Sequence, residues 1–127
     1  MPQLTNLTVK KADGTTDIVF TGLSPSAGYG SPALFRSNSV GTSIAQRPSL
    51  AVTPISRPNR SVVKTNFVYP IVDPVTGKVI DYGTIKAESN FPTTADDSVI
   101  NEIAHQGTNL LATTLVKSVF KEGMGPN

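Results

Sequence analysis

The chain contains no cysteine, which rules out a disulfide scaffold, a thiolate zinc site and a cysteine nucleophile. It has one histidine, His105, so a histidine-based metal site or a Ser-His-Asp triad has very little to build from. No stretch approaches the roughly 20 consecutive apolar residues that a membrane helix needs. Met1 to Lys11 lacks an apolar run of signal-peptide length. These absences lead to the expectation of a soluble protein made in the cytosol, without cofactor, metal, membrane or small-molecule substrate. Acid is missing over a long interval too. Between Asp17 and Asp73 there is no Asp or Glu, while Arg36, Arg47, Arg57, Arg60 and Lys64 all fall inside it. The formal net charge is only +2, but a segment with five cations and no anion projects a positive field suited to a polyanion such as RNA.

At 127 residues the chain fits one domain able to bury a real core. Thr, Ser and Val are frequent and prolines are scattered through the first 92 residues, which favours strands and turns there. Leu4 to Lys11 alternates and is followed by Asp13-Gly14, a favoured hairpin pair, with a returning strand over Asp17 to Thr21. Leu23 to Pro32 reads as a loop, Ala33 to Asn38 as a short strand, and Ser39 to Gln46 as a flexible connection. Three longer strands follow at Pro48 to Ser56, Arg60 to Tyr69 and Lys78 to Phe91. The turns between them are Arg57-Pro58-Asn59 and Asp73-Pro74-Val75-Thr76-Gly77. Pro48 and Pro54 lack amide donors, so the strand that holds them is expected to pair imperfectly.

The period changes after Pro92. Thr94 to Asp97 is a T-x-x-D variant of the capping box, and Asp96 and Asp97 suit a helix N-terminus. Ile100, Ile103, Ala104, Gly107, Leu110 and Leu111 recur at helical spacing. Thr113 or Thr114 caps a second helix with Leu115, Val119 and Phe120 on its apolar face. Lys117 and Lys121 lie near its end, and Gly123, Gly125 and Pro126 stop it. The predicted architecture is therefore α+β: an N-terminal β-hairpin, an antiparallel sheet of about five strands, and two C-terminal helices. In chain order the hairpin occupies 1–22, the sheet 33–92 and the helices 94–122.

Alternation gives the sheet two faces. Leu50 and Val52, then Val63, Thr65, Phe67 and Tyr69, then Gly83, Ile85 and Ala87 share the apolar one. Ser49, Thr53, Lys64, Asn66, Tyr82, Thr84 and Lys86 share the other, an open polar face of lysines, hydroxyls and amides. Catalytic chemistry finds no footing. Asp96 and Asp97 point about 100° apart on a helix and are better explained as capping residues. His105 lies mid-helix without a partner nearby in sequence. Thr76-Gly77-Lys78 lacks the glycine-rich run and following helix of a phosphate loop. Asn6-Leu7-Thr8 and Asn59-Arg60-Ser61 match the glycosylation pattern, which has no meaning without a secretory signal. Tyr82 is either a platform for base stacking or an ordinary strand aromatic.

Taken in order, these segments resemble the coat proteins of the small single-stranded RNA bacteriophages, the leviviruses, over nearly the whole chain. The similarity lies in the Asp13-Gly14 hairpin, in Gln46 to Thr53 followed by Ser56-Arg57-Pro58-Asn59-Arg60, in Val63 to Pro70, and in Asp81 to Pro92 with the acidic helix start and the Leu110-Leu111 pair. The resemblance implies an interlocked homodimer with one continuous sheet, each subunit's helices lying over the partner's sheet. It further implies an icosahedral shell, the virion, assembled in the bacterial host cytoplasm. Single-stranded genomic RNA would bind the inward face, including a hairpin whose occupation represses replicase translation. The inward positions would be Arg47, Ser49, Ala51 and Thr53, then Lys64, Asn66 and Val68, then Tyr82, Thr84, Lys86 and Glu88. Lys64, Lys86 and Arg47 would attract phosphates, while Ser49, Asn66 and Thr84 would bond bases or sugars. The loop from Asp73 to Gly77 would cluster around the shell's symmetry axes. Two positions depart from the pattern. Thr84 stands where some relatives carry a base-stacking tyrosine, with Tyr82 one inward position away. Lys64 stands where some carry a small hydroxyl residue. The alternatives are an RNA-binding module without a shell and a β-rich surface or pilus subunit.

Overall fold

The computed structural model describes residues 3–37 and 43–126. Two units divide the chain near Asn90, the first holding most of the strands and the second the helices. The first contains β1 (Leu7–Lys10), β2 (Asp17–Ser24), β3 (Ala33–Ser37), a 3-10 turn at Ile44–Gln46, β4 (Ser49–Arg57), β5 (Arg60–Val72) and β6 (Val79–Pro92, whose last two residues cross the division). The strands form one sheet in sequence order. The N-terminal hairpin is therefore continuous with the rest, giving six strands in one sheet where the alternation predicted a hairpin and a sheet of about five. The first half of the expected Ser39 to Gln46 connection, and Asn38 at the predicted end of β3, lie outside the described residues.

The hairpins show why the chain turns where it does. Asp13-Gly14 sits inside a four-residue loop closed by the Lys11 amide donating to the Thr16 carbonyl at 2.8 Å, with Gly14 at φ 75°. Asp13 holds this loop. Its Oδ1 accepts the amides of Thr15 at 3.0 Å and Thr16 at 2.9 Å, and its Oδ2 accepts the Thr16 hydroxyl. The β4–β5 hairpin is tighter: Arg57 pairs with Arg60 across Pro58-Asn59, and Asn59 supplies the left-handed φ of 57° that such a turn demands. The β5–β6 turn repeats the aspartate device, with Asp73 Oδ1 accepting the Val75 amide at 2.9 Å and Oδ2 the Thr76 hydroxyl at 3.1 Å.

β4 pairs with β5 without interruption from Ser49↔Val68 to Arg57↔Arg60, so the prolines do not disturb that ladder. The reason is direction. The Pro54 carbonyl accepts the Gly30 amide at 2.7 Å, and the Pro48 carbonyl accepts the Ser37 amide at 3.0 Å. In a strand the N and C=O of one residue point to the same side, so the missing N–H of Pro54 faces the β2–β3 side, beyond the end of β3. β5 also runs three residues past its predicted end at Tyr69 and contains Pro70.

Ile18, Phe20 and Phe35 form a buried cluster, with Leu4, Ala33, Leu50, Val52 and Phe67 packed on it. Register explains the grouping. Gly22↔Phe35, Phe35↔Leu50 and Leu50↔Phe67 are successive partners across the sheet, so alternate residues of β2 to β5 meet on one face. The Phe20 and Phe67 rings lie 6.1 Å apart at 69°, an edge-to-face contact worth about 0.5–1.5 kcal/mol beyond its area. The cluster is small. On the same face Val9 and Tyr69 border an open groove of about 620 Å³ floored by Ile18, Phe20 and Phe67, and Ile85 is 49% exposed.

The second unit contains α1 (Asp97–Leu111) and α2 (Thr114–Glu122). The cap of α1 is Asp96, without a side-chain cap bond, so the T-x-x-D segment does not act as a box. Asp97 lies in the first turn, where its charge suits the helix dipole. Thr113 is the cap position of α2, but its hydroxyl donates to the Leu110 carbonyl at 2.7 Å instead of capping. Gly123 ends α2 at φ 70° with its amide on the Val119 carbonyl, and Lys121 occupies the last turn. Neither helix has a buried residue. Ile103, Leu110, Leu111, Leu115 and Phe120 are exposed, while Ile100, Ala104, Val116 and Val119 are half-buried.

Candidate nucleic-acid interface

The opposite face of the sheet follows from the same register. Ser49 pairs with Val68, Ala51 with Asn66, Thr53 with Lys64, Ile55 with Val62 and Arg57 with Arg60. β6 continues it antiparallel. The Thr65 hydroxyl donates to the Ala87 carbonyl at 3.1 Å, the Ser89 hydroxyl to the Val63 carbonyl at 3.5 Å, and Arg60 Nη1 to Asn90 Oδ1 at 3.5 Å. Thr65 and Val63 belong to the apolar face, so Ala87 and Ser89 do as well, and Lys86, Glu88 and Asn90 fall on the polar one.

Lys64, Asn66 and Lys86 converge. With Thr65, Ala87 and Glu88 they line an open depression of about 510 Å³ between β5 and β6. Lys64, Lys86 and Glu88 are exposed, whereas Asn66 is half-buried and its Oδ1 is buried without a hydrogen-bond partner. A buried amide oxygen with no donor is costly, so this side chain gains from any group that supplies one or turns it outward. Ser49 and Thr53 stand one strand away, half-buried. Thr84 and Tyr82 extend the row along β6, and Tyr82 is 58% exposed. Arg47 is the outlier: it precedes β4 as the residue closing the 3-10 turn, is half-buried, and has a buried Nε without a partner.

Two further features belong to this face. Arg57 and Arg60 lie on it, by the same parity that places Ser49 and Thr53 on β4 and Lys64 and Asn66 on β5. Val62 is also on it yet only 4% exposed, opposite half-buried Ile55, so an apolar pair interrupts the polar surface between the hairpin tip and Lys64.

The path of this chain recurs in solved structures. The virus-like particle of Beihai levi-like virus 21 matches over 99% of both chains with a TM-score of 0.82 and 21% identity. The bacteriophage GA capsid protein matches over 94% of this chain and 95% of its own, with a TM-score of 0.70 and 13% identity. An unassembled bacteriophage coat protein described as an RNA-binding dimer matches over 98% of both chains, with a TM-score of 0.59 and 19% identity. This is the levivirus-type coat-protein fold. No protein-family model matches the sequence, and no curated protein matches it. At these identities the likeness is one of backbone path, six strands and then two helices over nearly the full length.

Proposed function

We propose that this chain is a structural capsid protein, not an enzyme: it dimerises, assembles into an icosahedral shell as part of a virion, and packages single-stranded RNA against the polar face of its sheet. The observation that carries the reading is that face. Lys64, Lys86 and Asn66 converge in one depression on a sheet whose path is that of phage coat proteins. Phosphates meet the two ammonium groups, and the hydroxyls and amides of Ser49, Thr53, Asn66 and Thr84 hydrogen-bond sugars and bases. Tyr82 offers a ring for stacking. Arg47, set before β4, contributes charge at the margin.

Dimerisation has its own support. The two sheet edges differ. β1 spans only four residues and is guarded by the ion pair of Lys10 and Asp17 at 2.5 Å. β6 spans 14 residues with no proline before Pro92, a long row of backbone groups open to a second copy. Pairing through β6 makes one continuous sheet of two subunits. The open apolar groove and the exposed apolar residues of the helices then find cover on the partner, the helices of one copy over the sheet of the other, and folding and association become one event. Occupation of the face by an RNA hairpin is the route by which the same protein represses replicase translation, and assembly takes place in the host cytoplasm.

Purified full-length protein tests this by size-exclusion chromatography and electron microscopy. A particle peak absorbing strongly at 260 nm is expected. In K64A/K86A the particles persist with less RNA. Dimers that bind RNA without forming shells support the module reading instead, and unchanged RNA content in K64A/K86A removes Lys64 and Lys86 from the interface.

A further inference from the structure

The β5–β6 turn holds the only Asp-Pro step in the sequence, Asp73-Pro74. A bond to proline is a tertiary amide. Its nitrogen takes up a proton more readily than an ordinary peptide nitrogen, so it is the better leaving group in acid. Pro74 to Lys78 are exposed, and water reaches the bond.

The turn supplies the other parts of a scission. The Asp73 carbonyl, the acyl half of the bond, accepts the Gly77 amide at 2.8 Å, which polarises it and gives one donor to an oxyanion formed there. The Asp73 side chain carries a nucleophile on a short tether. Attack of a carboxylate oxygen on the carbonyl carbon of the same residue closes a five-membered ring, so the step is effectively unimolecular. The Val75 amide and the Thr76 hydroxyl lower the acidity range of this carboxyl, so it stays ionised in acid that protonates ordinary aspartates. Lys78, Asp81 and Arg47 are the other charged groups in the turn and its flanking segments, and the segment before β4 meets the turn through the neutral amide of Gln46. Hydrogen bonds, not these charges, set the state of the Asp73 carboxyl.

The same bonds restrain the nucleophile. Oδ1 accepts the Val75 amide at 2.9 Å and Oδ2 the Thr76 hydroxyl at 3.1 Å, so both oxygens are engaged forward along the chain, away from the Asp73 carbonyl. Attack requires one of them to let go.

We propose that Asp73-Pro74 is an acid-scission site of this chain, with the Asp73 carboxylate as nucleophile, Pro74 as leaving group and the Thr76 hydroxyl as a latch on the nucleophile. A carboxylate oxygen of Asp73 bonds to the Asp73 carbonyl carbon. The C–N bond to Pro74 breaks as its nitrogen takes a proton from the acid medium. This leaves a cyclic anhydride on residue 73 and a free amino terminus at Pro74. Water opens the anhydride, restoring the side-chain carboxyl and leaving an α-carboxyl, so the sum is hydrolysis of one peptide bond by one water. The products are 1–73, with β1 to β5 up to its end, and 74–127, with β6 and both helices. The Thr65 and Ser89 bonds between β5 and β6 lie away from the cut and survive it. The scission holds whether or not the chain packages RNA.

The test holds full-length protein at about pH 4, where the carboxylate is ionised with or without the latch, and follows fragments over days by intact-mass spectrometry. Circular dichroism at the same pH reports the fold. In urea, where the turn is open, wild type is expected to give 1–73 and 74–127. D73N lacks the carboxylate and P74A has the poorer leaving group, so neither should give that pair at a comparable rate. Folded wild type is expected to cleave more slowly than the chain in urea. Folded T76V, which keeps the shape and loses the hydroxyl, should cleave about two- to twelvefold faster than folded wild type, the factor in one net hydrogen bond. T76S keeps the hydroxyl and should match wild type, and T76A replaces T76V if that variant does not fold. An intact chain in urea, or fragments that persist in D73N, overturns the site. Equal rates for folded wild type and T76V, or a T76S as fast as T76V, overturn the latch and with it the proposal.

Discussion

The side-chain amide of Gln46 donates to the carbonyl of Gly77 at 2.6 Å, joining the segment before β4 to the β5–β6 turn across 31 positions of sequence. The turn is otherwise held locally, by the Gly77 amide on the Asp73 carbonyl at 2.8 Å, the Asp73 amide on the Lys78 carbonyl at 2.8 Å, and the Asp73 side chain. Gly77, at φ 71°, gives the loop its left-handed bend. Gln46→Ala removes this bond between the turn and the segment before β4. A net hydrogen bond is worth about 0.5–1.5 kcal/mol, so backbone amides from 75 to 78 should exchange with solvent about two- to twelvefold faster, while those of β4 are unchanged. Hydrogen-exchange rates that match wild type in this turn would show that it is held by its local bonds alone.

The two turn aspartates predict how stability depends on pH. The hydroxyl and amide of Thr16 and the amide of Thr15 hold the Asp13 carboxyl down from an ordinary 3.8 to about 2. The Val75 amide and Thr76 hydroxyl lower that of Asp73. Each charged carboxylate is favoured by folding, so each contributes stability that is fully present above the ordinary carboxylate range. That contribution fades as pH falls from about 4 toward 2. In D13N/D73N it is absent throughout. The melting temperature of wild type should therefore exceed that of the variant at pH 6, and the difference should shrink steadily below pH 4. A difference that stays constant down to pH 2 would mean that the turns depend on side-chain shape and not on ionisation.

Much of this fold is legible in period and punctuation. The two faces of β4 to β6 follow from strict alternation, because a period of two admits only one division of Lys64, Asn66 and Lys86 from Thr65, Phe67 and Ala87. The turns at Asp13-Gly14, Pro58-Asn59 and Asp73–Gly77 follow from residues that tolerate positive φ or bond their own backbone. What escaped is non-local. Alternation within one strand does not say that the hairpin joins the main sheet, since that depends on β2 finding β3 across a ten-residue interval of loop character. Pro54 misled because the consequence of a missing N–H depends on which neighbour it faces, and in β4 it faces away from β5. Val62 is buried by its place on the sheet and not by its neighbours in sequence.

Gly22 gives the sharpest test of how the N-terminal segment joins the sheet. It lies in β2 opposite Phe35, beside an irregularity that shifts register between Gly22 and Ser24, and its amide donates to Asn6 Oδ1 at 3.1 Å. Leu4 crosses directly over it: a Cβ built on Gly22 would stand 2.8 Å from Leu4 Cγ and 3.1–3.2 Å from both Cδ atoms. That is closer than carbon atoms can approach, so Gly22→Ala must push Leu4 from its contact with the Ile18–Phe20–Phe35 cluster. Overpacking of this kind costs about 1–3 kcal/mol. Leu4→Ala alone loses part of a half-buried side chain and costs about 1–2 kcal/mol. The two losses overlap, because once Leu4 is truncated the added methyl meets open space. L4A/G22A should therefore be more stable than the sum of the single effects predicts, with a coupling of about 1 kcal/mol in a double-mutant cycle read by urea unfolding. Strict additivity would mean that Leu4 does not rest on Gly22 in solution and that the cluster is closed by other residues.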